Sequence, residues 1–179
     1  NTYPLGRKGE GLFAYLKSLS QQEKGLKIFQ EIREGLSLLD WFEDIQIPEN
    51  VTVIGNDAFQ GCEKLAVITI PQNVTEIGNA AFEDCKALSY VDIPQSVTTL
   101  GADAFNGCKA LATANIYGNV KELKNSTFQG CESLSSISLP VSIKAIGNDA
   151  FRNCRALTSA VLGEGVQTIG VSSFYNCRA

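Results

Sequence analysis

The sequence predicts an α/β repeat protein, a solenoid of about six 23-residue repeats that begins with an N-terminal helical cap. Six phenylalanines follow one another at intervals of 23 residues from Phe59 to Phe174, and six cysteines keep the same interval from Cys62 to Cys177. Residues 1–41 lack this spacing and place leucines at helical intervals. Because a fixed repeat length is typical of stacked units that share one core, the spacing predicts the fold class.

Each repeat is predicted to form one short strand, a second extended segment and one helical turn. In the unit LAVITIPQNVTEIGNAAFEDC, Ile68 and Ile70 occupy alternate positions, as in a strand with one buried face, and Pro71 then ends the strand. Residues 74–77 suit a second extended or turn segment, and residues 80–82 suit one tight helical turn that directs a phenylalanine into the core. Since one unit cannot bury its apolar face alone, neighbouring strands should stack about 4.8 Å apart in a parallel sheet.

Some units depart from this pattern without changing their length. Tyr117 stands where proline is usual, Lys124 stands where glycine is usual, and Gly163 replaces the proline of a later unit. Because the spacing of 23 residues is kept, we expect the coil to continue through these units.

Residues 1–41 are predicted to form two short helices that cap the solenoid, which then occupies residues 42–179. Leu12, Leu16 and Leu19 share one helical face. The apolar repeat positions also continue backwards into this region as one degenerate unit. We therefore expect a cap that packs on the first repeat rather than an independent domain.

The first and last residues of the sequence each lead to a further expectation. The chain begins at Asn1 without a methionine, as a processed or trimmed product would. It ends at Ala179 part-way through a repeat, so we expect either a longer natural chain or a partner that covers the last core face.

Composition argues against several classes of function. The chain has no histidine, which excludes Ser-His-Asp and Cys-His nucleophile systems and histidine-ligated zinc. Paired carboxylates such as Glu83 and Asp84 lie in polar turns, so no catalytic residue is expected. The 19 acidic side chains outnumber the 15 basic ones, and nucleic acid is not expected as a partner. The longest uncharged run has 13 residues, which predicts a soluble chain with no membrane-spanning segment.

The six cysteines are predicted to be reduced thiols packed in the core. One cysteine per repeat places them in a line rather than around a point, which disfavours a metal site. Neighbouring repeats would bring the α-carbons within disulfide range, but in-register side chains point in parallel, which suits a disulfide poorly. Leu39 occupies the equivalent position of the degenerate unit and so indicates an apolar site. No metal and no cofactor are expected.

Two surface features have both a functional and an ordinary interpretation. Sequons at Asn50, Asn73 and Asn125 could accept glycans in a eukaryotic secretory pathway, but the first two arise from the polar turn of the repeat itself. A charged residue follows each cysteine and could belong to a basic recognition stripe. Acidic members interrupt that row, which favours a solvated ridge. The row consists of Glu63, Lys86, Lys109, Glu132, Arg155 and Arg178.

The outward side chains of the predicted strands are the candidate binding residues, because solenoids commonly bind ligands on a continuous concave sheet. They form two parallel columns that vary between repeats more than the core positions do, although solvated strand residues would look the same. Tyr90 is the aromatic member and the candidate anchor. The columns contain Asp44 and Gln46, Val67 and Thr69, Tyr90 and Asp92, Thr113 and Asn115, Ser136 and Ser138, and Ser159 and Val161.

The repeated motif LxxIxIPxxVTxIGxxAFxxC resembles the BspA-like leucine-rich repeats. It occurs as LAVITIPQNVTEIGNAAFEDC and as LSYVDIPQSVTTLGADAFNGC, and the resemblance covers about residues 45–179. The resemblance implies a right-handed leucine-rich-repeat solenoid on the surface of a bacterium or protist. Several members of that family are implicated in adhesion to host extracellular matrix proteins or to other cells. No catalytic residue is implied, and the N-terminal helical segment lies outside the motif.

Together these observations predict a secreted or cell-surface module that recognises proteins through its concave strand face. Adhesion to host matrix or cell-surface proteins is the expected role, and the expected partner is a protein ligand. A structural spacer within a larger surface protein is the alternative. An enzyme is disfavoured because histidine is absent and the fold offers no evident pocket.

Overall fold

A computed structural model describes residues 44–178, which form a right-handed β-solenoid of about five turns with a spacing of 23 residues. Residues 1–43 and Ala179 lie outside the described range, and the predicted helical cap lies there with them. The described strands, in chain order, are β1 (Asp44–Gln46), β2 (Val53–Ile54), β3 (Val67–Thr69), β4 (Glu76–Ile77), β5 (Tyr90–Ile93), β6 (Thr99–Leu100), β7 (Thr113–Ile116), β8 (Glu122–Leu123), β9 (Ser136–Ser138), β10 (Ala145–Ile146), β11 (Ser159–Val161) and β12 (Thr168–Ile169).

The strands stack in two parallel rows. The first row contains a four-stranded sheet in the order β1-β3-β5-β7, and then the pair β9-β11. The second row contains β2-β4-β6, and then β8-β10-β12. The register advances by one repeat at each step, so that Tyr90 lies opposite Thr113 and Asp92 lies opposite Asn115. The parallel stacking predicted from the spacing is confirmed, and the second extended segment of each repeat is a strand of two residues.

The apolar repeat positions face inward and form one continuous core. The phenylalanines from Phe59 to Phe151 are completely buried, and their rings are stacked on one another. Neighbouring ring centroids lie 5.1 to 5.7 Å apart, with interplanar angles of 4° to 13°. Phe174 ends the row and is only partly buried. The predicted row of core phenylalanines is confirmed.

The segment before each cysteine is a turn rather than a helix, which corrects the helical turn predicted at residues 80–82. Two positions in each repeat have a positive φ, which a right-handed helix does not accommodate. At the first position φ is 51° to 57°, and at the second it is 57° to 75°. The first position holds Asp57, Ala80, Asp103, Ser126, Asp149 and Ser172, and the second holds Gly61, Asp84, Gly107, Gly130, Asn153 and Asn176.

Hydrogen bonds between neighbouring repeats explain why these turns do not become helical. The Phe59 N–H donates to the Ala81 carbonyl at 2.7 Å, and the Phe82 N–H donates to the Ala104 carbonyl at 2.8 Å. We call this row of bonds, which links each turn to the next one along the chain, the turn ladder. It uses N–H groups that a helix would bond internally. The described residues contain no helix, so residues 44–178 form a β-solenoid and not the predicted α/β repeat.

Candidate functional site

The structure places the predicted outward residues of the first row in two columns. Along β3, Ile68 is buried between the exposed Val67 and Thr69, which is the alternation expected of a strand with one solvated face. The backbone of Asp44 pairs with Val67 at the start of the first column. The first column holds Asp44, Val67, Tyr90, Thr113, Ser136 and Ser159, and the second holds Gln46, Thr69, Asp92, Asn115, Ser138 and Val161.

Three members of these columns are hydrogen-bonded to one another. The Asn115 side-chain amide donates to Asp92 Oδ1 at 2.9 Å and to Tyr90 Oη at 3.3 Å. The Tyr90 hydroxyl in turn donates to the Asp92 carboxylate, and this hydrogen bond raises the pKa of Tyr90 above its ordinary value. Tyr90 is 43% exposed. The group therefore presents an exposed aromatic ring whose hydroxyl is held in one place by two neighbouring polar side chains.

Tyr117, which was not among the predicted site residues, lies next to this group, because its backbone N–H donates to the Ile93 carbonyl at 2.9 Å. It follows β7 directly and is 60% exposed. Its phenol is near enough to make a further, smaller contribution to the raised pKa of Tyr90. Because Tyr117 takes the place of a proline, its departure from the repeat pattern was the signal in the sequence that could have identified it.

The cysteines form a buried row, as the packing interpretation predicts. Cys62 to Cys154 are buried at each repeat position, and Cys177 is partly buried at the end of the row. Burial raises the pKa of Cys154 to about 12, and it also raises the pKa of Cys85, Cys108, Cys131 and Cys177. A thiol with a raised pKa is a weak nucleophile and a poor metal ligand at neutral pH.

The thiols also make a hydrogen bond that the sequence pattern does not indicate. Cys85 Sγ donates to the Phe59 carbonyl of the preceding turn at 3.1 Å, and the later cysteines repeat this contact at 3.1 to 3.3 Å. The position therefore favours a small apolar side chain that carries a weak hydrogen-bond donor, and leucine has no such donor. Within residues 44–178, no group of three or more potential ligands is placed to hold a metal ion.

Comparison with known proteins identifies the repeat. The family model for BspA-type leucine-rich repeat regions matches the chain in six copies, over residues 39–154 and 75–179. The chain belongs to the BspA-type leucine-rich repeat family. A BspA-type repeat solenoid is typical of protein-interaction scaffolds rather than of enzymes.

Three solved structures of bacterial leucine-rich repeat proteins are similar to this chain. A protein from Eubacterium ventriosum is 32% identical with a TM-score of 0.71, over 76% of this chain and 37% of its own length. A protein from T. pallidum is also 32% identical with a TM-score of 0.62, over 75% of this chain and 63% of its own. A protein from Bacteroides ovatus is 31% identical with a TM-score of 0.56, over 71% of this chain and 39% of its own.

This chain therefore spans less than two thirds of the length of these three leucine-rich repeat proteins of known structure. No curated protein matches the chain. The part of the chain that the structure describes has no helix long and apolar enough to cross a bilayer.

The charged row that follows the cysteines is paired along the BspA-type solenoid. Lys86 lies 2.5 Å from Glu63, and Glu132 lies within 3.5 Å of Lys109 and 3.4 Å of Arg155. All of these side chains are substantially exposed, and such exposed pairs contribute little to stability. Because three of its four basic groups, Lys86, Lys109 and Arg155, face carboxylates of neighbouring turns, the row is better described as a solvated ridge than as a basic stripe.

Two of the three sequons use their side chains within the repeat. The Asn73 amide donates to a backbone carbonyl of the preceding turn at 2.7 Å, and Asn125 Oδ1 accepts the Asn148 N–H at 2.9 Å. Thr127 is fully buried, and its hydroxyl donates to a backbone carbonyl at 2.8 Å. These contacts favour the ordinary interpretation of the sequons as polar turn residues.

Proposed function

We propose that this chain is the recognition module of a secreted or cell-surface protein, and that it binds a protein ligand through the two columns of the first row. The hydrogen-bonded group of Tyr90, Asp92 and Asn115 carries the proposal. Binding hot spots are rich in tyrosine because a large rigid ring is buried on binding at a low cost in conformational entropy. Here the Tyr90 hydroxyl is already fixed, which lowers that cost further.

The shape of the surface favours a protein over a small molecule as the ligand. The columns run across successive strands of a parallel sheet, whereas sites for small molecules are concave pockets that enclose most of the ligand. Membership of the BspA-type family supports a place outside the cell or on its surface. The family also supports adhesion to host extracellular matrix or cell-surface proteins as the role.

A pair of variants tests this site. We expect Tyr90→Ala to lower the affinity for a surface coated with extracellular matrix proteins by about tenfold or more, with little change in melting temperature. Lys109→Ala on the solvated ridge is the control and should leave both quantities unchanged. A loss of affinity confined to Lys109→Ala would move the site to the ridge. A lower melting temperature with unchanged affinity for Tyr90→Ala would mean that the ring only stabilises its own sheet.

The unbroken register favours a second candidate function, a stiff spacer that presents another part of a larger surface protein. Parallel pairing and the turn ladder link each repeat to the next one on two sides of the coil. A pure spacer shows no saturable binding to matrix proteins. Saturable binding that Tyr90→Ala weakens would therefore contradict the spacer and support recognition.

A further inference from the structure

Two tyrosines differ from the residues at their own repeat position. Tyr90 shares its column with aliphatic, hydroxylated and acidic residues, and Tyr117 stands where other turns have Pro71, Pro94 and Pro140. The two rings are 43% and 60% exposed, so neither fills the core. They lie in neighbouring turns, one on β5 and the other directly after β7. The repeat forms elsewhere without aromatic rings at these positions, which indicates that this pair serves something other than the fold.

Asp92 lies on the same strand as Tyr90, and the next residue, Ile93, accepts the Tyr117 N–H at 2.9 Å. The Asp92 carboxylate has no basic partner among residues 44–178. Its hydrogen bonds come from two neutral groups, the Asn115 amide at 2.9 Å and the Tyr90 hydroxyl. By contrast, Glu63 and Glu132 on the solvated ridge both face a lysine or an arginine. A carboxylate can accept about four hydrogen bonds, so Asp92 keeps acceptor capacity for a ligand. The group therefore offers an unmatched negative charge in a fixed position beside two exposed tyrosines.

We propose that Tyr90, Asp92, Asn115 and Tyr117 form a clamp for one arginine side chain of the protein ligand. This inference rests on the function proposed above and names the chemistry that the site recognises. A guanidinium group donates two parallel hydrogen bonds to a carboxylate and stacks on aromatic rings. Asp92 supplies the charge, the two tyrosines supply the rings, and Asn115 holds Asp92 and Tyr90 in place.

Other ligand side chains match the clamp less well. A lysine carries the charge, but its ammonium group has no planar fork to pair with the carboxylate and no flat face to lie on a ring. A neutral side chain would cover Asp92 and leave its charge unpaired, which costs binding free energy. Arginine is also among the residues most enriched at interface hot spots.

The probe for this proposal is a phage library of random peptides selected on the wild-type chain. We expect the selected peptides to be enriched in arginine. Replacing that arginine with citrulline, which keeps the shape and removes the charge, should weaken binding of the synthetic peptide by about tenfold or more. Replacement with lysine should weaken binding by a smaller factor.

Three variants of the chain localise the effect. Asp92→Asn keeps the shape of the side chain and should weaken peptide binding by about tenfold. Tyr117→Ala removes the ring and keeps the backbone N–H that donates to the Ile93 carbonyl at 2.9 Å, so the fold should be retained while peptide binding weakens by about threefold or more. Glu76→Gln removes an exposed carboxylate from β4 in the second row and should leave the affinity unchanged. Melting temperatures of all three should stay close to that of the wild-type chain.

The outcomes separate this clamp from the broader proposal. Peptides that require Tyr90 but are not enriched in arginine, or that bind equally well with citrulline, would overturn the clamp and leave the columns as the binding surface. Arginine peptides whose binding is unchanged by Asp92→Asn would also overturn the clamp. If no selected peptide is weakened by Tyr90→Ala, both the clamp and the columns are wrong.

Discussion

At the scale of single residues, Ala80 occupies a backbone conformation that its counterparts fill with other side chains. Its φ is 51°, and the equivalent positions of the other repeats hold aspartate or serine. The left-handed conformation costs a residue with a Cβ about 1 to 2 kcal/mol, and asparagine tolerates it better than alanine does. We expect Ala80→Asn to raise the free energy of unfolding by about 0.5 to 1 kcal/mol in urea titrations.

Asp103→Ala is the matched change in the opposite direction, because Asp103 has a φ of 57° at the same repeat position. It should lower the free energy of unfolding, and it also removes the hydrogen bond from the Asn106 amide at 3.1 Å. A destabilising Ala80→Asn would show that the strain at this position is set by packing and not by the residue's own conformational preference.

The hydrogen bond between Tyr90 and Asp92 predicts a shifted titration. Because this bond raises the pKa of Tyr90 above the ordinary value of about 10, the folded state favours the neutral phenol. The contribution of this hydrogen bond to the stability of the folded state is fully present at pH values below the pKa that Tyr90 has in the unfolded chain. It is lost as the pH rises through the pKa that Tyr90 has in the folded state. Asp92→Asn should bring the pKa of Tyr90 down. Ultraviolet titration of the phenolate, with Tyr90→Phe subtracted, measures this, and identical curves with and without Asp92 would contradict it.

The candidate site was only partly accessible from the sequence. Strand alternation was enough to place Tyr90, Asp92 and Asn115 on one outward surface, because side-chain direction in a strand follows a period of two. The hydrogen bonds among them depend on side-chain rotamers, which a sequence pattern does not determine. Tyr117 was recognisable as a departure from proline, but its nearness to Tyr90 depends on how the two rings lie in space.

At the scale of the element, the stacked phenylalanine row predicts an ordered set of stabilities. Replacing a buried phenylalanine with alanine costs about 3 to 5 kcal/mol. Phe105 is completely buried between two stacked rings, whereas Phe174 ends the row and is partly buried. Urea unfolding should therefore show a much larger loss for Phe105→Ala than for Phe174→Ala. Equal and small losses of unfolding free energy in the two variants would show that the phenylalanine row contributes little to the stability of the core.

The cysteine row predicts slow thiol chemistry. Because Cys62 is buried, and because burial raises the pKa of the five later thiols, each of which donates to a carbonyl, we expect the native protein to react slowly with a thiol reagent. Unfolding without a reductant should release six free thiols, one per cysteine. Two or fewer free thiols would mean that disulfides form and that the packing interpretation is wrong.

The turns show where local sequence was a poor guide to structure. Ala80, Ala81 and the following phenylalanine have no feature that opposes a helix, and a helical turn was the natural local expectation. The turn ladder overrides that preference, because its N–H groups find carbonyls in the next repeat. The strands, by contrast, were predictable from the sequence, because the regular spacing of their apolar residues already implies that the repeats stack.

At the scale of the whole molecule, we predict that residues 1–41 cap the solenoid. Leu36, Leu39 and Phe42 continue the core positions of the repeat into this region. Removing residues 1–41 should expose the apolar first turn, so that the fragment melts at a lower temperature or self-associates. Differential scanning calorimetry and analytical ultracentrifugation measure these effects. A fragment over residues 42–179 that stays monomeric and melts at the original temperature would contradict the cap.

The turn ladder also gives the solenoid a direction. Each donor of the ladder points towards the later turn, as in the bonds from Phe82 to Ala104 and from Phe105 to Thr127. A turn inserted backwards would set donors against donors, whereas the deletion of a whole unit outside the Tyr90 surface, such as residues 126–148, would still leave every donor opposite an acceptor. The protein can therefore be lengthened or shortened in steps of one repeat, and each step changes the length of the solenoid along its axis by about 4.8 Å. Its reach is adjustable in this way, while the chemistry of the Tyr90 surface stays the same.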